Sequence, residues 1–337
     1  MEMHIEDQEL KIIVSLFFEE NIFVSEIKNT SHGENDFRET VILRTESGNK
    51  FVIKLADNDF TFAEKIKMWQ RCAEEYRSIG YYTPAILESK SGDFPIVQYK
   101  GHRCVAYAEE FSEYSCVDDA GNGIASSKFK NEILTMTAKI ANLYSDYTAY
   151  PSGYCLFERF SPSDQNDEVM DNALEWKGCA EMLPSEFQPQ VQRIWNLWCK
   201  NRAELQEIYH QLPTSVFQAD LNSSNILIDE KGSFVGVYDF NLSGKDVLLN
   251  YLIREMNWPD DDEEELNLIK SAIKIVESVY TFSMIEKYAA LMLYRCIKPL
   301  WWTRVQRLKK AANDYSAIQE CLDKVESMLT RNVDFFA

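Results

Sequence analysis

Val216-Phe217-Gln218-Ala219-Asp220-Leu221-Asn222-Ser223-Ser224-Asn225-Ile226-Leu227-Ile228-Asp229, followed by Phe234-Val235-Gly236-Val237-Tyr238-Asp239-Phe240-Asn241, is the stretch from which the fold is read. Two short apolar runs flank Asp229-Glu230-Lys231-Gly232, a turn by composition, and so predict a hairpin. Asn225 opens one strand and Asp239 closes the other, which puts both at the same edge. Asp220, on the preceding loop, can reach that edge. Three oxygen-bearing side chains are thus expected to converge at one sheet end.

Oxygen ligands that leave room for water and phosphate suit Mg²⁺. An Asn and an Asp together supply about one negative charge, so the ion stays net positive and can neutralise the phosphates of a nucleotide. Asp220 is expected beside it as a free carboxylate placed to accept a hydroxyl proton. At an ordinary pKa of ~3.9 it is a weak base for an alcohol. In a loose phosphoryl-transfer transition state the proton leaves late and orientation does most of the work. An Asp and an Asn at this spacing also fit a simple turn. The preceding helix, the Asn-initiated strand, the hairpin and Asp239 together favour a site.

Working outward, residues 41–45 and 51–55 are β-rich runs around Glu46-Ser47-Gly48-Asn49-Lys50 and predict another hairpin. Residues 61–79 carry Ile66, Trp69, Ala73 and Tyr76 at helical spacing, with Gly80 and Pro84 to end the helix. Strands follow at 95–99 and 103–108, joined through Lys100-Gly101-His102. An amphipathic first helix is read from Leu10, Ile13, Val14 and Phe17. After Glu110 the pattern turns to long helices. One carries Ile133, Leu134, Thr137, Ile140, Ala141 and Tyr144; another carries Val191, Ile194, Trp195, Trp198, Leu205 and Ile208 and leads into residue 216. The tail from 266 is helical, closing at 315–329, and residues 116–127 and 161–169 read as surface loops. This predicts an α+β chain of two lobes: a small antiparallel sheet lobe over 1–110 and a larger, mainly helical lobe over 111–337.

The bulk properties agree. A chain of 337 residues with 45% hydrophobic and 26% charged residues can bury two lobes without staples. No apolar run approaches the ~20 residues of a membrane span, and the amino terminus does not read as a signal peptide. The eight cysteines form no C-x-x-C clip and fit buried free thiols in a reducing cytoplasm. A net charge of −19 makes nucleic acid and anionic membrane poor partners. It permits a cationic substrate.

The segment at 216–241 resembles the catalytic and metal loops of the aminoglycoside phosphotransferase and choline kinase group, relatives of protein kinases, whose pattern is H-x-D-x-x-x-x-N followed by a strand pair ending in Asp-Phe. The resemblance implies a bilobal protein-kinase-like fold, ATP and Mg²⁺ as cofactors, Asp220 as the catalytic aspartate, and Asn225 and Asp239 as metal ligands. Gln218 stands where the family usually has His or Arg; its amide can still donate two hydrogen bonds to the loop. Asn241 replaces the Gly that protein kinases place after Asp-Phe. Lys54 lies late in its strand, where kinases keep a lysine for the α- and β-phosphates. On a period of two it shares a face with Val52. The helix partner of that lysine is open among Glu64, Gln70, Glu74 and Glu75. Ser31-His32-Gly33-Glu34-Asn35 is the phosphate-covering loop by position, with a single glycine, and Ala108-Glu109-Glu110-Phe111 resembles the hinge that holds adenine.

The acidic run 260–265 reads as a helix N-terminus, or alternatively as a wall for an amine-bearing substrate. Trp301 and Trp302 are core aromatics or cation–π walls of such a site. The reading that results is a phosphotransferase moving a γ-phosphate to a hydroxyl of a small molecule, an aminoglycoside or an amino alcohol among the candidates. The alternative, a catalytically silent nucleotide-binding module acting through partners, draws on Gln218 and the sparse phosphate loop. Protein kinase activity is disfavoured because no Ala-Pro-Glu follows Asp239.

Overall fold

The computed structural model describes residues 3–4, 7–19, 22–33, 35–117, 123–143, 149–258 and 261–337. Glu34, Tyr144, Asp260 and residues 118–122 lie outside these; the described parts of the expected 116–127 surface loop include the strand residue Cys116 and the short helix Gly123–Ser126, whose Ile124 is buried. The first part of the chain runs β1 (Met3–His4), α1 (Gln8–Phe17), β2 (Ile22–Asn29), β3 (Phe37–Thr45), β4 (Lys50–Asp57), α2 (Ala63–Ser78), β5 (Ile86–Leu87), β6 (Ile96–Tyr99) and β7 (His102–Glu110). The strands form a seven-stranded antiparallel sheet in the order β1-β2-β3-β4-β7-β5, with β6 also on β7. The two predicted hairpins are present. β3 and β4 pair Val41 with Ile53 and Leu43 with Phe51. β6 and β7 turn through Lys100 and Gly101, whose φ of 50° and 83° are those of a tight two-residue hairpin turn. Strand β2 was not foreseen: only its first residues are buried, and the rest of it is exposed, so the alternation that marks a strand is weak.

Alternation along β4 and β7 gives the sheet two different faces. Ile53, Leu55, Cys104, Ala106 and Ala108 join Leu10, Ile13 and Val14 of α1 in one core. Ala56, Val105 and Tyr107 face the other way, against Ile66, Trp69, Cys72, Ala73 and Tyr76 of α2. Those α2 side chains are at most 1% exposed, and burying each large one stabilises by roughly 1.5–3 kcal/mol. The same cluster continues into the second lobe through Val216, Phe217 and Tyr251, so α2 is the element that packs the lobes together. Gly80, at φ +92°, ends the helix in the left-handed region that favours glycine.

The second part holds β8 (Ser115–Cys116), α3 (Gly123–Ser126), α4 (Lys130–Ala141), α5 (Glu168–Glu181), α6 (Gln188–Tyr209), β9 (Thr214–Phe217), β10 (Ile226–Ile228), β11 (Phe234–Val237), β12 (Gly244–Val247) and α7 (Leu248–Glu255). It closes with α8 (Asp262–Glu277), α9 (Met284–Ile297), α10 (Trp302–Ala311) and α11 (Tyr315–Thr330). Helix α6 is the axis of this lobe, packed on α9 and α11. Its indole Trp198 Nε1 donates to the Cys296 carbonyl at 2.9 Å. None of the eight cysteines is bonded to another. No described helix is long and apolar enough to cross a membrane.

Candidate active site

Strand β9 pairs with β12 and ends at Phe217, because the next N–H, that of Gln218, donates to the Tyr76 hydroxyl at 3.1 Å instead of continuing a ladder. The chain then turns through Ala219 and Asp220. Asn222 caps a single tight turn over 223–225, its side-chain oxygen accepting from Ser224 N–H. That turn delivers Asn225 to the start of β10. Hairpin β10–β11 pairs Ile226 with Val237, and Tyr238 N–H donates to the Asn225 carbonyl at 3.1 Å, so the predicted common edge exists.

Asp220 and Asn225 are in direct contact. The Asn225 amide donates to the Asp220 carbonyl at 2.7 Å and to its Oδ2 at 3.3 Å, while Asn222 Nδ2 lies 3.1 Å from both carboxylate oxygens. Asp239 sits just past β11 with φ 60°, a conformation that costs a non-glycine residue about 1–2 kcal/mol. Gln218 holds it there. Its Nε2 lies 2.9 Å from the Asp239 carbonyl, 3.0 Å from that of Tyr238 and 3.2 Å from that of Asp220, and its Oε1 accepts from Asp220 N–H at 2.7 Å. One glutamine therefore ties the 220 loop to the 239 edge.

Lys54, reaching down from β4, places Nζ 3.2 Å from Asp239 Oδ1. Lys54, Asp220 and Asp239 line one cavity of about 680 Å³ between the sheet and the second lobe. Asn225 is not part of its wall; it stands against Asp220, 5% exposed. The β2–β3 loop contributes His32, Gly33 and Asn35 to the cavity. Asp36 organises that loop, accepting from His32 N–H at 3.1 Å and from Asn58 Nδ2 at 2.9 Å.

Burial pushes the Asp220 carboxyl above the ordinary carboxylate range, partly offset by the Asn222 hydrogen bond and the nearby Arg254 charge. Burial lowers the affinity of Lys54 for its proton, but Asp239 and Glu109 outweigh it and hold the ammonium well above its usual range. The lysine is charged at any physiological pH.

Several expectations are corrected. Lys54 is paired with Glu109 and Asp239 rather than with a candidate on the helix: Glu64 and Glu74 are exposed, and Gln70 donates to the Ile86 carbonyl at 2.9 Å. Glu109 of β7 takes that place, with Oε2 3.1 Å from Lys54 Nζ. Residues 108–110 of the expected hinge lie inside the sheet, between β4 and β5. The loop 161–169 is not a plain surface loop. Phe160, Ser161, Ser163 and Asp164 wall the cavity, and Ser163 N–H donates to Asp59 Oδ2 at 2.6 Å across the lobes. The acidic run is structural. Asp261 caps α8, Asp262 and Glu265 pair with Arg304 at 2.9 and 2.8 Å, and Glu265 also meets the buried Lys298 at 3.4 Å. Trp301 is core and Trp302 half exposed; neither lines the cavity.

Sequence reading passed over Arg254. Its guanidinium donates to the Ala219 carbonyl at 2.7 Å and stacks 3.6 Å from the Tyr154 ring, steadying the residue before Asp220. An arginine inside the apolar run of α7 was the signal: a buried charge requires partners.

The donor set suits the groups it was expected to hold. The Asp239 carboxylate and the Asn225 amide stand at one edge, with the Lys54 ammonium 3.2 Å from Asp239, and oxygen donors beside a cation are the chemistry that a Mg²⁺-bound phosphate would need. The comparisons point the same way. Residues 32–267 match the model of the phosphotransferase enzyme family, APH. No match was found among curated proteins. Among solved structures, a microcompartment-associated aminopropanol kinase superposes with a TM-score of 0.55 at 12% identity, over 95% of this chain and 94% of that one. The amicoumacin kinase hAmiN, in complex with AMP-PNP, Ca2+ and Ami, gives 0.54 at 11% identity, over 96% and 94%. An aminoglycoside phosphotransferase from Alicyclobacillus acidocaldarius gives 0.50 at 12% identity, over 95% and 96%. At such identities these likenesses establish the shared two-lobe, kinase-like fold. The family match spans the β2–β3 loop from His32, Lys54, the 220 loop and the Asp239 edge, and on it the chain belongs to the phosphotransferase enzyme family.

Proposed function

We propose that this protein transfers the γ-phosphate of ATP to a hydroxyl of a small molecule, in a magnesium-dependent reaction. The observation that carries the reading is the meeting of Lys54, Asp220 and Asp239 on one cavity, with Asn225 bonded to Asp220. Residues 1–110 form the nucleotide lobe and 111–337 the lobe that carries the catalytic and metal loops and the acceptor.

Asn225 and Asp239 would hold the metal, which when bound neutralises phosphate charge. Lys54 sets a fixed positive charge against the phosphates. Asp220 accepts a hydrogen bond from the acceptor hydroxyl and orients its oxygen toward the γ-phosphorus. As the new O–P bond forms and the bond from the γ-phosphorus to the bridging oxygen breaks, the hydroxyl proton passes to Asp220 and ADP leaves. Burial, by raising the affinity of Asp220 for that proton, favours this role.

The acceptor is a cationic amino alcohol or aminoglycoside. Glu158, Asp164, Glu168 and Asp171 line a cleft of about 160 Å³ that shares Phe160 and Asp164 with the main cavity, and carboxylates there suit an ammonium. ADP release with Mg·ATP, measured against a panel of amino alcohols, aminoglycosides and neutral sugars, tests the reading. Turnover stimulated by an amine-bearing alcohol and reduced by at least ~100-fold in Asp220→Ala is expected. Mg·ATP binding with no turnover on any alcohol refutes the enzymatic reading and favours a silent nucleotide-binding module.

A further inference from the structure

Lys54 and Glu109 come from neighbouring antiparallel strands. In the β4–β7 register Lys54 faces Tyr107 and Val52 faces Glu109, so Lys54 and Glu109 are diagonal neighbours on one face of the sheet. That face is the one turned to the cavity. Glu109 Oε2 reaches Lys54 Nζ at 3.1 Å, and the two side chains are 10% and 19% exposed. On helix α2, Glu64 and Glu74 are exposed and Gln70 is bonded to the Ile86 carbonyl, while Trp69 packs toward Tyr107, the residue opposite Lys54. That indole packs 6.3 Å from the Tyr107 ring and donates to the Ser243 carbonyl at 3.2 Å.

We infer that Glu109 is the positioning residue of the nucleotide lysine, replacing a helix carboxylate with one on the same sheet as the lysine itself. The inference rests on the proposed nucleotide site. Lys54 now lies between two carboxylates, Glu109 and Asp239. Asp239 cannot serve the lysine fully while also holding a metal ion, so Glu109 is the anchor that stays when the nucleotide is bound. A second consequence concerns conformation. A lysine paired to a helix glutamate is released when the helix swings out. A lysine paired across adjacent strands, through a continuous ladder from Phe51 to Ala56, keeps its anchor whatever α2 does.

The test is a binding cycle on the full chain with Mg·ATP and with adenosine as probes, measured by calorimetry for wild type, Lys54→Ala, Glu109→Ala and the double variant. Glu109→Ala should weaken Mg·ATP by about 10- to 100-fold, the effect of losing a hydrogen bond between charged groups, with adenosine changed by less than about threefold. In the Lys54→Ala background the same change should cost less than about threefold, because the anchor then has nothing to hold. Glu109→Gln, which keeps an acceptor for the ammonium, should recover part of the loss. Glu64→Ala, Glu74→Ala and Glu75→Ala should bind Mg·ATP as wild type does. Equal losses for ATP and adenosine, full additivity with Lys54→Ala, or a comparable loss in a helix variant would overturn the inference. Wild-type protein that binds no Mg·ATP would overturn the nucleotide site and this inference with it, whereas normal wild-type binding untouched by Glu109→Ala overturns the inference alone.

Discussion

Gln218→Ala should damage the site more than the fold. Gln218 is 1% exposed, and its amide stands between three carbonyls and one N–H. One NH₂ carries only two hydrogens, so at most two of the three donated contacts are full bonds at once, and the bond accepted from Asp220 N–H makes three. At roughly 0.5–1.5 kcal/mol net each, the substitution should cost about 1.5–4.5 kcal/mol of stability. The low end is favoured. Asp239 is held at positive φ, and once released it can recover about 1–2 kcal/mol by relaxing. That relaxation is what harms function, because it carries the Asp239 carboxylate away from Lys54 and Asn225. Urea unfolding gives the first quantity and ADP release at saturating Mg·ATP the second. We expect a loss of about 2 kcal/mol in stability with a kcat lower by about 100-fold, and substantial recovery of kcat in Gln218→His. An alanine variant within about 0.5 kcal/mol of wild type and with unchanged kcat would refute the buttress.

Two further perturbations test other parts of the architecture. A Cβ at Gly236 would lie 1.8 Å from the Tyr82 carbonyl oxygen, where β11 meets the stretch after α2, so Gly236→Ala should cost about 1–3 kcal/mol or more in thermal or urea unfolding; a neutral variant would mean this lobe contact is loose. Lys65 is fully buried, its ammonium donating to the Phe160 carbonyl at 3.1 Å, and burial pushes its pKa down to about 7, against the charges of Asp164 and Asp59. The unfolded chain, with lysine near ~10.4, then binds more protons than the folded one, so the penalty is complete below about pH 7 and fades as pH rises toward about 10.4. Lys65→Met should therefore stabilise by about 1–4 kcal/mol at pH 6 and by much less at pH 10. An equal effect at both pH values would contradict the account.

What could be read from the chain and what could not divide along physical lines. The β3–β4 hairpin and the Asn225-to-Asp239 hairpin were legible because turn chemistry and apolar runs are local, and local signals survive in a linear text. So was the placement of Lys54, since strand periodicity assigns its face. Glu109 was not legible as the lysine's partner: 55 residues separate them, and only the β4–β7 register makes them neighbours. The 161–169 segment looked like a surface loop because it is polar, yet those polar groups face Asp59 and the cavity across the lobes. The acidic run offered two readings, and the buried Lys298, just past α9, and Arg304 of α10 decide for the structural one. Strand β2 escaped notice because an edge-side strand that is mostly solvated carries little hydrophobic pattern.

A crystal structure with Mg·AMP-PNP and the amine-bearing acceptor would bring the whole account to one observation. It predicts an octahedral ion within about 2.1 Å of the Asn225 amide oxygen and an Asp239 carboxylate oxygen, with Lys54 on the phosphates and Asp220 at hydrogen-bond distance from the acceptor hydroxyl. An ion held elsewhere, with Asn225 and Asp239 both out of coordination distance and Asp220 remote from the acceptor, would contradict it.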